Sequence, residues 1–303
     1  MKCICHALLF LFVIACSGKS IIIEPDLFVS SIINDSFAIP DLTTHQSMAF
    51  CKGKAVFVTP VGDDLVCDIY DILTKDKESS INLSHGDYSV PHANVSCFGK
   101  DYFTNNSFFP TLYVSAWNEG RQAFVYDIFL GDAGYESRLV QIIDPAHLNK
   151  DYIGNGQMDW VIDVDHNMLY SIAYSLTNSP CIYENNQTNI CQFELPTIDG
   201  RLIVYLEDKD IVNHFVLPVM TVFQDKCYYN HHIYVVAGIP SENKLYPPRL
   251  FDIDIDKFSL TEHLLPFDGE PEGLCYYNEG LWLNMCSSTI IHRLDSFLNN
   301  NIL

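Results

Sequence analysis

The sequence predicts an all-β chain folded as a β-propeller, with five blades as the first reading and six as the alternative. Three observations carry this. A hairpin unit recurs nearly letter for letter, as Cys227-Tyr-Tyr-Asn-His-His-Ile-Tyr-Val-Val236 and Cys275-Tyr-Tyr-Asn-Glu-Gly-Leu-Trp-Leu-Asn284, with weaker copies upstream. Aromatic residues reach 13%, with 17 Tyr and 19 Phe, a composition that favours strands over helices. The last repeat has room for only about three strands, while a strand-like segment near Phe37 stands alone ahead of the first repeat, as in rings closed by an N-terminal strand.

In chain order, strand-like text appears at Ile21–Glu24 and again at Ser30–Ile39. The first repeat runs through Met48–Val58, Leu65–Leu73 and Ser80–Ser84, with Gly53 in its turn. The second takes Asn94–Lys100, Thr111–Trp117, Ala123–Phe129 and Leu139–Ile143. The third takes Trp160–Ile172, Gly200–Tyr205 and Asn213–Leu217, with Ser179–Cys191 as a loop inserted in it. The fourth starts near Val222 and continues at Arg249–Asp254. The fifth is Glu270–Asn284 followed by Thr289–Leu294. Aligned on their hairpins, the repeats place Cys51, Cys97, Asp163, Cys227 and Cys275 at one position, at intervals of 46, 66, 64 and 48 residues. Such periods, each holding about four short strands, are those of propeller blades, and a long second or third interval hiding an irregular blade would make six. No Pro/Ser-rich linker or charge run divides residues 30–303, which read as one domain.

The N-terminus reads as an address. Lys2 precedes the apolar run Ala7–Ala15, too short to span a bilayer and fitting the apolar core of an export signal. Val13-Ile-Ala-Cys16 resembles the lipobox of bacterial lipoproteins, and Ala-Cys-Ser-Gly-Lys resembles those of gut Bacteroidetes. That resemblance implies a signal peptide at 1–16, lipidation of Cys16, a linker at 17–29 and an outer-membrane or cell-surface location. An ordinary cleaved signal, giving a secreted or periplasmic soluble protein, is the other reading. Only on the first reading is the membrane touched, and then only through an N-terminal lipid.

The formal charge of −21 argues against nucleic acid, whose phosphates such a surface repels. A cation, a neutral sugar or a basic protein suits such a surface better, and the expected partner is a small molecule, a glycan or a protein of the envelope. Of the eight cysteines after Cys16, those at the repeat position read as small core residues. Cys181 and Cys191 flank a polar loop and either bridge or stay free, and no Cys-x-x-Cys marks a zinc site.

Ligands of propellers lie at the channel mouth, on residues that open the innermost strands. Here those entries carry Gln46, His92, Asn94, Asp159, Gln224, Glu270 and Glu272. Three residues before the repeat position the ring reads Met48, Asn94, Trp160, Gln224, Glu272. His92, Asn94, Gln224, Glu270 and Glu272 are the candidate ligand-binding residues, and Asn94, Asp159 and Glu272 are hard oxygen donors suited to calcium. The segment Glu-Pro-Glu-Gly-Leu resembles strand entries in gluconolactonase/regucalcin-like and NHL-type propellers. That resemblance implies a divalent ion held by Asn94, Asp159 and Glu272, with Asp159 as the candidate base activating water. Three functions follow: a propeller that binds a ligand or envelope partner at its mouth, a metal-dependent hydrolase of the lactonase type, or a glycosidase with its carboxylates at the same mouth, which nothing in the spacing selects. The pair His231-His232 falls in a turn, where adjacent residues point apart and make a poor metal pair.

Overall fold

Turn chemistry fixes the inner hairpins. In three of them the two central residues both take positive φ: Lys52-Gly53, Asn230-His231 and Asn278-Glu279. This is the turn whose twist matches paired strands, and Asn at its first position is among the few residues that enter that region readily. The recurring Cys-Tyr-Tyr-Asn text is therefore the end of an inner strand together with its turn.

The computed structural model describes residues 26–27, 33–42, 45–86, 88, 92–115, 120–175, 187–218, 220, 223–239 and 246–294. Two strands, β1 (Asp26–Leu27) and β2 (Ile33–Ala38), precede the ring. Blade 1 is β3 (Ser47–Cys51), β4 (Lys54–Val61), β5 (Asp64–Asp71) and β6 (Lys77–Leu83). Blade 2 is β7 (Val95–Phe98), β8 (Leu112–Ser115), β9 (Ala123–Gly131) and β10 (Gly134–His147). Blade 3 begins with β11 (Met158–Asp163), β12 (Met168–Ser175) and β13 (Gln187–Glu194). The chain then steps back to blade 2, where β14 (Ile203–Glu207) lies parallel to β10, and returns as β15 (Ile211–Pro218) to finish blade 3. Blade 4 is β16 (Phe223–Tyr229), β17 (His232–Ala237), β18 (Arg249–Asp254) and β19 (Ser259–Leu264), with β1 added in parallel. Blade 5 is β20 (Pro271–Tyr277), β21 (Gly280–Met285), β22 (Ile290–Leu294) and, antiparallel to β22, the N-terminal β2. The architecture is a five-bladed β-propeller closed by its N-terminal strand.

Two assignments change. The segment near Gly200–Tyr205 belongs to blade 2 rather than blade 3, and the third strand of blade 3 is Gln187–Glu194, at the C-terminal end of the expected loop. This excursion lengthens the interval that left a sixth blade open. It also moves Cys191 from a loop end to mid-strand, where it is a free thiol, fully buried, with Sγ 3.8 Å from the Tyr152 carbonyl. Cys191 is thus not bridged to Cys181, which lies outside the described residues, as do the signal segment and Cys16.

Five apolar clusters fill the five seams between blades. The position shared by the inner strands is occupied by Ala49, Cys97, Val161, Cys227 and Cys275, one in each cluster. The thiols of Cys97, Cys227 and Cys275 face the next blade's backbone, near Ile162, Tyr276 and Phe50 respectively. Cys51 and Asp163 sit two residues further on. Cys51 closes its hairpin against Lys54 just as Tyr229 closes on His232 and Tyr277 on Gly280. Aligning on cysteine alone hid this two-residue offset, because strand periodicity is two and a shift of two keeps every side chain on the same face.

Candidate functional site

In the corrected register the inner strands present three successive levels from the mouth inward. The first carries Gln46, Asn94, Met158, Gln224 and Glu272. The second carries Ser47, Val95, Asp159, Asp225 and Gly273, and the third Met48, Ser96, Trp160, Lys226 and Leu274.

The deeper levels form a closed plug. Asp225 is fully buried, and its Oδ2 accepts the backbone N–H groups of Met48 in blade 1 (3.0 Å) and Leu274 in blade 5 (2.8 Å). Its Oδ1 accepts the N–H of Lys226 (2.7 Å). One carboxylate thus ties three blades together across the axis. Burial pushes its pKa well above the usual range, against the pull of these three donors. The neighbouring Lys226 turns the other way, as alternation along a strand requires. Its ammonium donates to Asp159 Oδ2 (2.7 Å) and to the Gln224 carbonyl (2.6 Å), and lies 3.9 Å from the centre of the Phe223 ring. Lys226 and Asp159 are both fully buried. Gln157 also donates to Asp159 Oδ2, at 2.9 Å, while Oδ1 has no partner among the described residues. Burial lowers the Lys226 pKa and raises that of Asp159, and each partner opposes the shift of the other. A buried pair of this kind is costly to break because the survivor is left as an uncompensated charge.

The outer level is different. Glu272 is only 6% exposed, yet its carboxyl group makes no hydrogen bond to a described residue. Burial, then the charges of Glu270 and Asp225, push its pKa up to about 9, so it is a neutral acid at pH 7. Glu270 accepts a hydrogen bond from Gln224 Nε2 (2.5 Å), and its carbonyl accepts the N–H of Cys286 (2.6 Å). The Cys286 thiol is partly exposed and feels both glutamates, although burial is the main cause of its raised pKa. Across the mouth, Gln46 Oε1 accepts from His92 Nδ1 (2.9 Å) and from the Ala93 N–H (3.3 Å), which fixes the amide. Burial lowers the pKa of His92. Asn94 is 3% exposed, and its side-chain amide also lacks a hydrogen bond to a described residue.

The structure therefore brings Gln224, Glu270 and Glu272 together and places His92 and Asn94 at the entry of blade 2. It sets Asp159 one level deeper, bound to lysine rather than open to a ligand. Among the described residues no group of three or more His, Cys, Asp or Glu is placed to hold a metal ion. Sequence reading missed Asp225, Lys226 and Cys286. The alternation Gln224-Asp-Lys-Cys227 was the available signal for the first two, a pair of charges inside an otherwise apolar inner strand.

No family model matches the chain, and no curated protein matches its sequence. Among solved structures it is similar to hydrazine synthase of Kuenenia stuttgartiensis (14% identity, TM-score 0.43, covering 84% of this chain and 66% of that one). It is also similar to BamB of Moraxella catarrhalis (9%, 0.32, 82% and 57%) and to virginiamycin B lyase of Staphylococcus aureus (13%, 0.35, 86% and 97%). The chain spans less than two thirds of the length of the first two. Its class, a five-bladed β-propeller, rests on its own sheet topology.

Proposed function

We propose that this is an exported, lipid-anchored propeller that binds a neutral, hydroxyl-rich ligand of the glycan class at the inner-strand mouth. Glu272 carries the reading. Its carboxyl group, mostly buried at the mouth, hydrogen-bonds no described residue, and a ligand hydroxyl placed against it would supply such bonds. Being neutral at pH 7, Glu272 both donates and accepts, as does the Asn94 amide at the blade 2 entry, which hydrogen-bonds no described residue. Neutral groups of this kind match hydroxyls better than they match a hard cation, which favours binding over lactonase-type hydrolysis. Export and anchoring rest on Lys2, the apolar run Ala7–Ala15 and Cys16.

The test is calorimetry of the full chain against a panel of soluble neutral oligosaccharides, with Glu272→Gln and Glu272→Ala alongside. Glu272→Gln keeps a neutral donor and acceptor and retains affinity at pH 7, whereas Glu272→Ala loses at least tenfold. Equal affinity in both variants, or no binding across the panel, refutes the assignment. Mass spectrometry of membrane-extracted protein tests the anchor, with a diacyl or triacyl adduct expected on Cys16.

A further inference from the structure

At the opposite end of the inner strands, two turns of neighbouring blades bring the rings of His166 and His231 close together. His166 lies in the turn that follows β11, and His231 is the second residue of the hairpin turn after β16, with φ of 65°. Their ring centroids are 5.0 Å apart with planes at 52°. His166 Nδ1 donates to Asp163 Oδ2 (2.8 Å), and Asp163 is itself held by the N–H groups of Asp165 and His166 on Oδ1 (3.0 Å each). That bond places the proton on Nδ1 and leaves a lone pair on Nε2. His231 Nδ1 lies 3.4 Å from Asp256 Oδ1, and the His231 backbone donates to Tyr228 Oη (3.1 Å). Neither Nε2 has a partner among the described residues. Both rings are half-exposed and line a cavity of about 430 Å³ shared with Met168, Tyr170 and Gln192.

We propose that His166 and His231 form a two-imidazole site for a borderline divalent transition ion: zinc, nickel or copper(II). Imidazole is the ligand these ions prefer. With metal–nitrogen bonds of about 2.1 Å and a near-tetrahedral angle, two imidazole centroids bound through Nε2 stand about 5 Å apart, the separation seen here. His166 donates its other ring N–H to the Asp163 carboxylate, as metal-bound histidines usually do, and the Asp256 carboxylate lies beside the other nitrogen of His231. The cavity leaves room for water or a partner's side chain in the remaining positions. The site joins blades 3 and 4 and is independent of the mouth. It was invisible as a motif because the adjacent pair His231-His232 separates, with His232 bound instead to Asp252 (2.5 Å).

The test is nickel titration of the full chain by calorimetry, with copper(II) electron paramagnetic resonance to count nitrogen ligands. One equivalent binds to the wild type, and two equatorial nitrogens are seen. His166→Gln and His231→Asn, the latter chosen because Asn tolerates the turn's positive φ, each weaken binding at least tenfold. Asp163→Asn, which removes the orienting carboxylate, weakens it about tenfold. His232→Gln leaves it unchanged. Failure of the folded wild type to bind nickel, or unchanged affinity in both histidine variants, overturns the proposal.

Discussion

Replacing Glu272 by Gln isolates the energetic consequence of a buried neutral acid. In the folded chain burial raises this carboxyl from 4.5 to about 9. In the unfolded chain it titrates normally. Between those values the native state holds a proton that the unfolded state has lost, so stability falls as pH rises through the interval. The slope is about 1.4 kcal/mol per pH unit. From pH 4.5 to pH 7 the accumulated loss is about 3 kcal/mol, an order-of-magnitude figure for a group this deeply buried. Glu272→Gln keeps the shape and the neutral state but cannot ionise in either ensemble. The variant therefore matches the wild type near pH 4.5 and is the more stable by about 3 kcal/mol at pH 7. Urea midpoints followed by tryptophan fluorescence at half-unit pH steps measure this directly. A stability difference that does not change with pH would refute the raised pKa, and with it the neutral character of the mouth.

Two further predictions concern the plug. Lys226→Met strands Asp159 as a buried carboxylate and lowers stability by about 3–5 kcal/mol, whereas Lys226→Met combined with Asp159→Leu recovers most of it, both read from urea midpoints. A methyl group on Gly273 would stand 2.9 Å from Met48 Cβ and 3.3 Å from His45 Nε2, so Gly273→Ala forces β20 away from β3. It lowers stability by about 1–3 kcal/mol, measured by thermal denaturation with the far-ultraviolet spectrum unchanged.

The propeller was legible because its signal is distributed. Hairpin turns with Asn or Gly, apolar strands and a period near fifty residues repeat often enough to survive noise. The closure by Ile33–Ala38 was legible too, since a final repeat short of one strand demands a donor. What escaped were features set by partners distant in sequence. The step of Ile203–Glu207 back to blade 2 is a parallel pairing with no local signature. The two-residue offset of Cys51 and Asp163 concealed that Asp159 and Asp225 occupy one level. Without that level, the partnership of Asp159 with Lys226 could not be foreseen, and Asp159 read as an available oxygen ligand. Glu270 and Glu272 were legible as polar entries, while the burial that makes Glu272 neutral depends on neighbouring blades.

The pairing of β2 with β22 also sets an order of assembly. Phe37 meets Ile291 across a long stretch of chain, so β2 must wait for β22, which is made well after it. Blades 1 to 4 can each form from consecutive text apart from short additions, but the ring cannot lock until the C-terminal hairpin is present. Until then β2 is an unpaired edge, open to capture by another copy. Loop-closure entropy rises only slowly with length, so this late step costs little at equilibrium. Its burden is kinetic, and the interval before closure is when this fold is most exposed to exchanging strands between molecules.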